Sequence, residues 1–266
     1  MLRDITLGQY YQTDSRLHRL DPRVKIVATL VYIISLFVVD NLIGYLIAAA
    51  FLLTAIILSN VPVKFIFKGM KAIYFLLVIT MVFNLFLTPG EALVSFWKLK
   101  ITKEGLKIAI MMGVRLVFLI TGSSIMTLTT TPNQLTDGLE SLMKPLKKLH
   151  VPVHEISMMM SIALRFIPIL MEETDKIMKA QMARGADFES GSLIQRAKSL
   201  IPLLVPLFIS AFRRANDLAM AMEARCYRGG EGRTKMKPLI YHKADYAAYL
   251  VIAAYLGVMI AVGIVF

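Results

Sequence analysis

Charged residues interrupt this 266-residue chain unevenly, and the uncharged stretches between them set its first level of organisation. A helix needs about 20 apolar residues to cross a hydrocarbon core. From Ile26 to Val63 the only charge is Asp40, and Asp40-Asn41 with Gly44 nearby reads as a tight turn joining two spans, near 26–39 and 41–63. The first arm is short, so Arg23 and Lys25 are expected to snorkel to the interface. Residues 72–90 are uncharged and end in the breaker Thr88-Pro89-Gly90, which closes a third span. Residues 108–130 carry Arg115 as their only charge and stop before Thr131-Pro132, giving a fourth. A charge inside a span must face protein or water, which makes Arg115 a structural or interface residue whose partner the sequence does not name. Tyr246 to Phe266 is uncharged throughout and supplies a terminal span within 244–266.

Residues 137–243 have a different texture. The apolar run Ile156 to Met171 is broken by Arg165 and Pro168, and Ser199 to Phe212 offers too few uncharged residues for a comfortable span. Both read as amphipathic helices that lie along the interface or pack beneath a membrane bundle. The expected organisation is an N-terminal membrane bundle (1–136), a cytoplasmic helical module (137–243) and a C-terminal transmembrane helix (244–266).

Composition agrees with that outline. The chain is 57% hydrophobic and 18% charged, with a mean hydropathy of +0.64, outside the range of ordinary soluble domains. The fold class expected is an all-α integral membrane protein with about five transmembrane helices plus long amphipathic helices. Thirty Lys and Arg against 18 Asp and Glu give +12, of which +8 lies between Lys144 and Lys243. Cytoplasmic loops retain Lys and Arg. Arg3, Arg16, Arg19, Arg23 and Lys25 therefore place the N-terminus inside, and the basic module is placed there too. The 91–107 segment falls outside despite its four lysines, an imperfect match. The first twenty residues lack the apolar run of a cleavable signal peptide, so the first membrane helix is expected to direct insertion. A single cysteine, Cys226, excludes an intramolecular disulfide or a multi-cysteine metal site.

Within the basic module two segments echo each other: Ala180-Gln181-Met182-Ala183-Arg184-Gly185 and Ala221-Met222-Glu223-Ala224-Arg225-Cys226. Each arginine follows good helix formers and precedes loop chemistry, so each marks a helix C-terminus. A cation there complements the helix macrodipole by about 0.3–1 kcal/mol. Two arginines in matched settings, flanked by the small Ala183, Gly185, Ala224 and Cys226, point instead to plugs for acidic grooves on a partner, where bidentate pairing is favoured.

The run Ala163-Leu164-Arg165-Phe166-Ile167-Pro168, then Glu172-Glu173, then Ala180 to Phe188 resembles the hallmark of the transmembrane T component of energy-coupling factor transporters, the CbiQ/EcfT family. Ala221 to Tyr227 with Arg233-Thr234 resembles the family's second arginine motif, and the similarity extends to Asp21-Pro22-Arg23-Val24-Lys25. Cys226 departs from the glycine commonest after that arginine, though it keeps a small residue. The resemblance implies a non-catalytic scaffold in the cell membrane that joins two cytoplasmic ABC-type ATPases to a membrane-embedded S component. Arg184 and Arg225 would dock on the ATPases, which bind the ATP and Mg, so this chain needs no cofactor. It implies vitamin or micronutrient uptake through a shared module; a dedicated cobalt or nickel system is the alternative within the family.

Methionine is adaptable and suits sliding contacts. Met158, Met159, Met160, Met178, Met182, Met220 and Met222, with Arg165 and Pro168, are the candidates for the surface that follows a moving S component; filling gaps in a helical core is the plainer role for any one methionine. Gly229-Gly230-Glu231-Gly232 lacks the lysine and the strand-to-helix setting of a phosphate loop. His150 and His154 have no third ligand spaced for metal. Glu172, Glu173 and Asp175 beside Lys176 and Lys179 suit a solvated helix face. A membrane-embedded lipid-phosphate transferase is the alternative from another class, but no Asp-rich metal motif supports it. Nucleic-acid binding by the basic module is disfavoured by its interspersed acids.

Overall fold

The computed structural model describes residues 10–39, 41–66, 73–89, 91–96, 99–188, 192–230, 232, 234 and 236–265. They form two compact units, one built from the described residues up to Leu142 together with those from Leu239 onwards, the other from those within Met143–Pro238. The unit boundaries thus fall a few residues from those the charge pattern suggests.

The first unit holds α1 (Pro22–Val38), α2 (Leu42–Ser59), α3 (Tyr74–Leu87), a hairpin of β1 (Ala92–Phe96) and β2 (Leu99–Thr102), α4 (Lys103–Thr129), α5 (Pro132–Met143) and α9 (Lys243–Val265). Its core is drawn from α1, α2, α4 and α9: Leu36, Ala48, Leu52, Leu128, Tyr255 and Met259 are all buried. Phe51 stacks on Tyr255 at 4.3 Å between ring centroids, and the Tyr255 hydroxyl shares a 2.8 Å hydrogen bond with Ser35. Asp40 lies outside the described residues, but Gly44 explains the closeness of the α1–α2 turn: a Cβ there would stand 2.0 Å from Val39 Cγ1. Arg115 finds its partners inside the unit. Its Nε donates to the Tyr45 hydroxyl at 2.9 Å and an Nη to the Val39 carbonyl at 3.4 Å, which satisfies a cation on a helix that is otherwise apolar.

The short hairpin was not legible as strand. Its register pairs Phe96 with Leu99 and Ser95 with Lys100, with an irregularity between Ala92 and Val94. Its last residue, Thr102, caps α4 by accepting from Gly105 N–H (3.0 Å) while its hydroxyl donates to the Thr88 carbonyl past the end of α3 (3.0 Å).

The expectation that Arg23 and Lys25 snorkel outwards is corrected. Lys25 is 6% exposed and donates to the carbonyls of Thr129 (2.9 Å) and His18 (3.0 Å). Arg23 makes a two-pronged pair with Asp21 (2.9 and 2.7 Å), and its guanidinium lies 3.6 Å over the Tyr241 ring. Burial by itself raises the Asp21 carboxyl, but hydrogen bonds from Arg23 outweigh it and hold Asp21 below its ordinary range. Asp245, 1% exposed at the start of α9, accepts from the backbone N–H groups of Asp21 (2.8 Å) and His242 (2.7 Å). These groups clasp the N-termini of α1 and α9 together. They turn inward because both cations find acceptors there, which a lone side chain in a short span could not do.

The second unit contains a 3-10 turn (Lys144–Leu149), α6 (Val153–Ala183), α7 (Leu193–Ser199) and α8 (Ile201–Ala224). Neither Arg165 nor Pro168 breaks α6, which runs unbroken for 31 residues with Pro168 inside it. Proline deletes one backbone hydrogen bond, yet the helix continues through it, with Ile162, Phe166 and Leu170 at four-residue spacing facing α8 across a groove. Pro206 sits likewise inside α8.

Among the described residues five helical stretches are long and apolar enough to cross a membrane: Leu42–Ser59, Lys103–Thr129, Val153–Ala183, Ile194–Ala224 and Lys243–Val265. The number matches the expectation and the identities do not all match. Pro22–Val38 has 17 residues and Tyr74–Leu87 has 14, while the two helices assigned to an amphipathic module qualify by length and composition.

Candidate functional site: two arginine-tipped helices

The two sequence echoes fold into the same local structure. α6 ends at Ala183 with Arg184 as its cap (φ −91°, ψ 7°), and α8 ends at Ala224 with Arg225 as its cap (φ −93°, ψ 16°). After Arg184, Gly185 N–H donates to the Met182 carbonyl and Ala186 N–H to the Gln181 carbonyl, both at 3.0 Å. After Arg225, Cys226 N–H donates to the Glu223 carbonyl (2.8 Å) and Tyr227 N–H to the Met222 carbonyl (3.0 Å). This is one pattern twice, the Schellman closure of a helix, and it requires a left-handed residue just beyond the cap. Gly185 takes φ +87°, and Cys226 takes φ +54°. The glycine favoured after the arginine therefore has a backbone reason, and Cys226 occupies the position at the cost that a Cβ imposes there.

Arg184 and Arg225 are both exposed, as are Ala183, Gly185, Ala224 and Cys226. Each guanidinium thus stands on a rigid helix end, uncrowded by its small neighbours, with its charge next to carbonyls at the negative end of the helix dipole. Such a tip can insert a planar five-donor fork into a carboxylate-lined groove.

α6 and α8 run antiparallel. At one end Gln181 Nε2 donates to the Pro202 carbonyl at 3.3 Å, in the middle Arg214 pairs with Glu173 at 3.2 Å, and at the other end Met158 shares a cavity with Arg225 and Cys226. The two tips therefore point to opposite ends of the pair. The Glu173–Arg214 bond corrects the reading of Glu173 as part of a solvated face; the sequence signal for it is that Glu172-Glu173 and Arg213-Arg214 occupy equivalent places in the two echoes.

The methionine set divides. Met158 and Met222 line the space between α6 and α8, whereas Met159, Met160, Met182 and Met220 are exposed and Met178 is half-buried. Arg165 and Pro168 are exposed on α6. His150 adopts a left-handed cap at φ +61°, and His154 packs where a Cβ on Gly230 would approach its ring within 2.5 Å. Among the described residues no three His, Cys, Asp or Glu side chains come together as a metal would need.

Apolar helices of this length, in one chain with a pair of arginine-tipped helices, define a multi-pass membrane protein. Comparison with known proteins gives the class its family. A family model described as "cobalt transport protein", CbiQ, matches residues 13–236. The energy-coupling factor transporter transmembrane protein EcfT of Clostridium kluyveri is 58% identical over 252 residues, covering 94% of this chain and 93% of that protein. Its namesakes from Thermosediminibacter oceani (56%, 94% of each chain) and Brevibacillus brevis (49%, 92% and 93%) are similar over the same extent. The chain belongs to the CbiQ/EcfT family and is the transmembrane T component of an energy-coupling factor transporter.

Proposed function

We propose that this T component joins two ABC-type ATPases to a membrane-embedded S component, with Arg184 and Arg225 as the ATPase-docking plugs. The observation that carries the reading is the matched pair of tips: identical closures, exposed forks and opposed directions suit one ATPase at each end. The N-terminus and the α6–α8 unit lie on the cytoplasmic side, where the excess of Lys and Arg favours them. ATP and Mg are bound and hydrolysed by the partners, and this chain performs no catalysis. Motion of the two ATPases displaces helices pinned at both tips, and the exposed methionines, with Arg165 and Pro168, give the S component a compliant surface. The cargo is a vitamin or similar micronutrient delivered through a shared module. A dedicated cobalt or nickel system is the second reading, and the description of the matching family model, which names cobalt, favours its cobalt form.

The test is co-expression of the tagged chain with its ATPase pair, followed by detergent pull-down of wild type and the Arg184→Ala, Arg225→Ala double variant. Wild type retains both ATPases and the double variant loses them. Failure of wild type to retain any ATPase overturns the scaffold reading; equal retention by both forms overturns the role given to the two arginines.

A further inference from the structure

Aligning the two echoes on their arginines relates α6 to α8 by an offset of 41 residues, and the same offset separates Glu173 from Arg214, the two residues that pair between the helices. Antiparallel helices related by an internal duplication have a pseudo-two-fold axis, and residues near it meet their own equivalents. A duplication that kept one charge at such a position would set like charges face to face. Here Glu172-Glu173 on α6 corresponds to Arg213-Arg214 on α8, so the equivalents carry opposite charge and Glu173 meets Arg214 at 3.2 Å.

Each member of the pair lies 11 residues before its own tip arginine. At a rise of about 1.5 Å per residue each tip stands roughly 16 Å from the contact, in opposite directions, so the tips are roughly 30 Å apart. A swing of about 20° at the contact would carry a tip roughly 5 Å over that lever, enough to change the spacing at which the two tips are held. Around the contact the packing is loose: a cavity of about 270 Å³ is lined by Ile162, Phe166, Leu170, Leu218, Ala219 and Met222 among others. Apolar contact leaves the crossing free to slip, and a directional bond removes that freedom. The Glu173 and Arg214 side chains are 28% and 37% exposed, so the pair adds little to stability. Its value lies in geometry. Arg214 Nε is buried without an acceptor among the described residues, which leaves Glu173 as the acceptor that fixes the guanidinium.

We propose that Glu173 and Arg214 are positioning residues: an axial strut that sets the register of α6 on α8 and with it the spacing of the Arg184 and Arg225 tips. The consequence for transport rests on the scaffold reading above; the geometric part does not.

The test uses the full chain in nanodiscs with Cys226→Ser, spin-labelled through Lys179→Cys and Met220→Cys, exposed positions that are themselves 41 residues apart. The distance distribution is narrow with the native pair. It broadens by about 3 Å, the arc of a roughly 20° swing over the six residues between each label and the contact, in Glu173→Gln or Arg214→Gln and narrows again in the swap Glu173→Arg, Arg214→Glu. In vesicles holding the ATPases and the S component, each single variant keeps its ATPases but moves about fivefold less cargo per ATP, the low end of ordinary coupling free energies, and the swap recovers it. Unchanged distances in the single variants, a swap that does not restore them, or unchanged cargo per ATP beside broadened distances overturns the strut. If wild type assembles with no ATPase, the scaffold reading fails and the distances on the chain alone decide the strut.

Discussion

Asp245 lies where the first compact unit is most exposed to a single change. Its carboxylate is 1% exposed and accepts two backbone N–H groups, from Asp21 at 2.8 Å and His242 at 2.7 Å, with buried Lys25 close enough to feel its charge. Asp245→Ala removes the acceptor and leaves both backbone N–H donors without it. Each hydrogen bond to a charged group is worth about 1.5–3 kcal/mol, and a stranded buried donor costs a similar amount. The loss is therefore about 3–6 kcal/mol. For a chain of this size 1 kcal/mol corresponds to roughly 2–4 °C, so the midpoint for loss of the monodisperse peak, followed by fluorescence-detected gel filtration in mild detergent, falls by about 6–24 °C. Asp245→Asn falls by less, because one oxygen still accepts while the amide opposes the second donor. The exposed Asp217 supplies the control. If Asp245→Ala shifts the midpoint no more than Asp217→Ala does, the clasp contributes nothing and the account of α1 and α9 as tied at their N-termini is wrong.

Two further outcomes follow from local geometry. His18, whose ring lies between Ser15 Oγ (2.6 Å) and the Tyr11 carbonyl (3.0 Å), is held below its usual 6.5 chiefly by burial. The unfolded chain then takes up the proton first, so stability is complete above about pH 6.5 and declines as pH falls below it; midpoints measured from pH 7.5 to 5 show that decline, and His18→Gln flattens it. At the second tip Cys226→Gly relieves a left-handed Cβ worth about 1–2 kcal/mol, partly offset by glycine's greater freedom when unfolded. The unfolding midpoint rises by roughly 2 °C with ATPase retention unchanged, while Gly185→Val at φ +87° lowers it; a fall for Cys226→Gly would contradict the strain assigned to that cap.

Much of this protein is legible in one dimension because its solvent is not uniform. A lipid core tolerates few charges, so Asp40 marks the start of α2 and Pro132 the end of α4 before any contact is known, and the tract after Asp245 announces α9. The arginine tips are legible for a related reason: Ala-Arg followed by Gly185 or Cys226 is local chemistry, and a Schellman closure is decided by the residues within it. Local signals misled where a long-range contact outweighed them. Arg165 and Pro168 interrupt an apolar run and so read against a span, whereas the facing of Ile162, Phe166 and Leu170 towards α8, which marks one continuous helix, is not visible in sequence. Arg23 and Lys25 read as snorkelling because cations near a short span ordinarily seek water; only the arrival of Asp245, Tyr241 and the Thr129 carbonyl from distant parts of the chain gives them partners inside.

By itself, then, the sequence determined the helical class, the positions of three of the apolar spans and the two arginine-tipped ends, all properties fixed by neighbours along the chain. The tertiary structure alone decided that α6 and α8 lie antiparallel with their tips opposed, that Glu173 closes on Arg214, and that buried cations hold α1 to the bundle. Each of these depends on which donors meet which acceptors across tens or hundreds of residues, and spacing along a chain does not carry that information until the chain has folded.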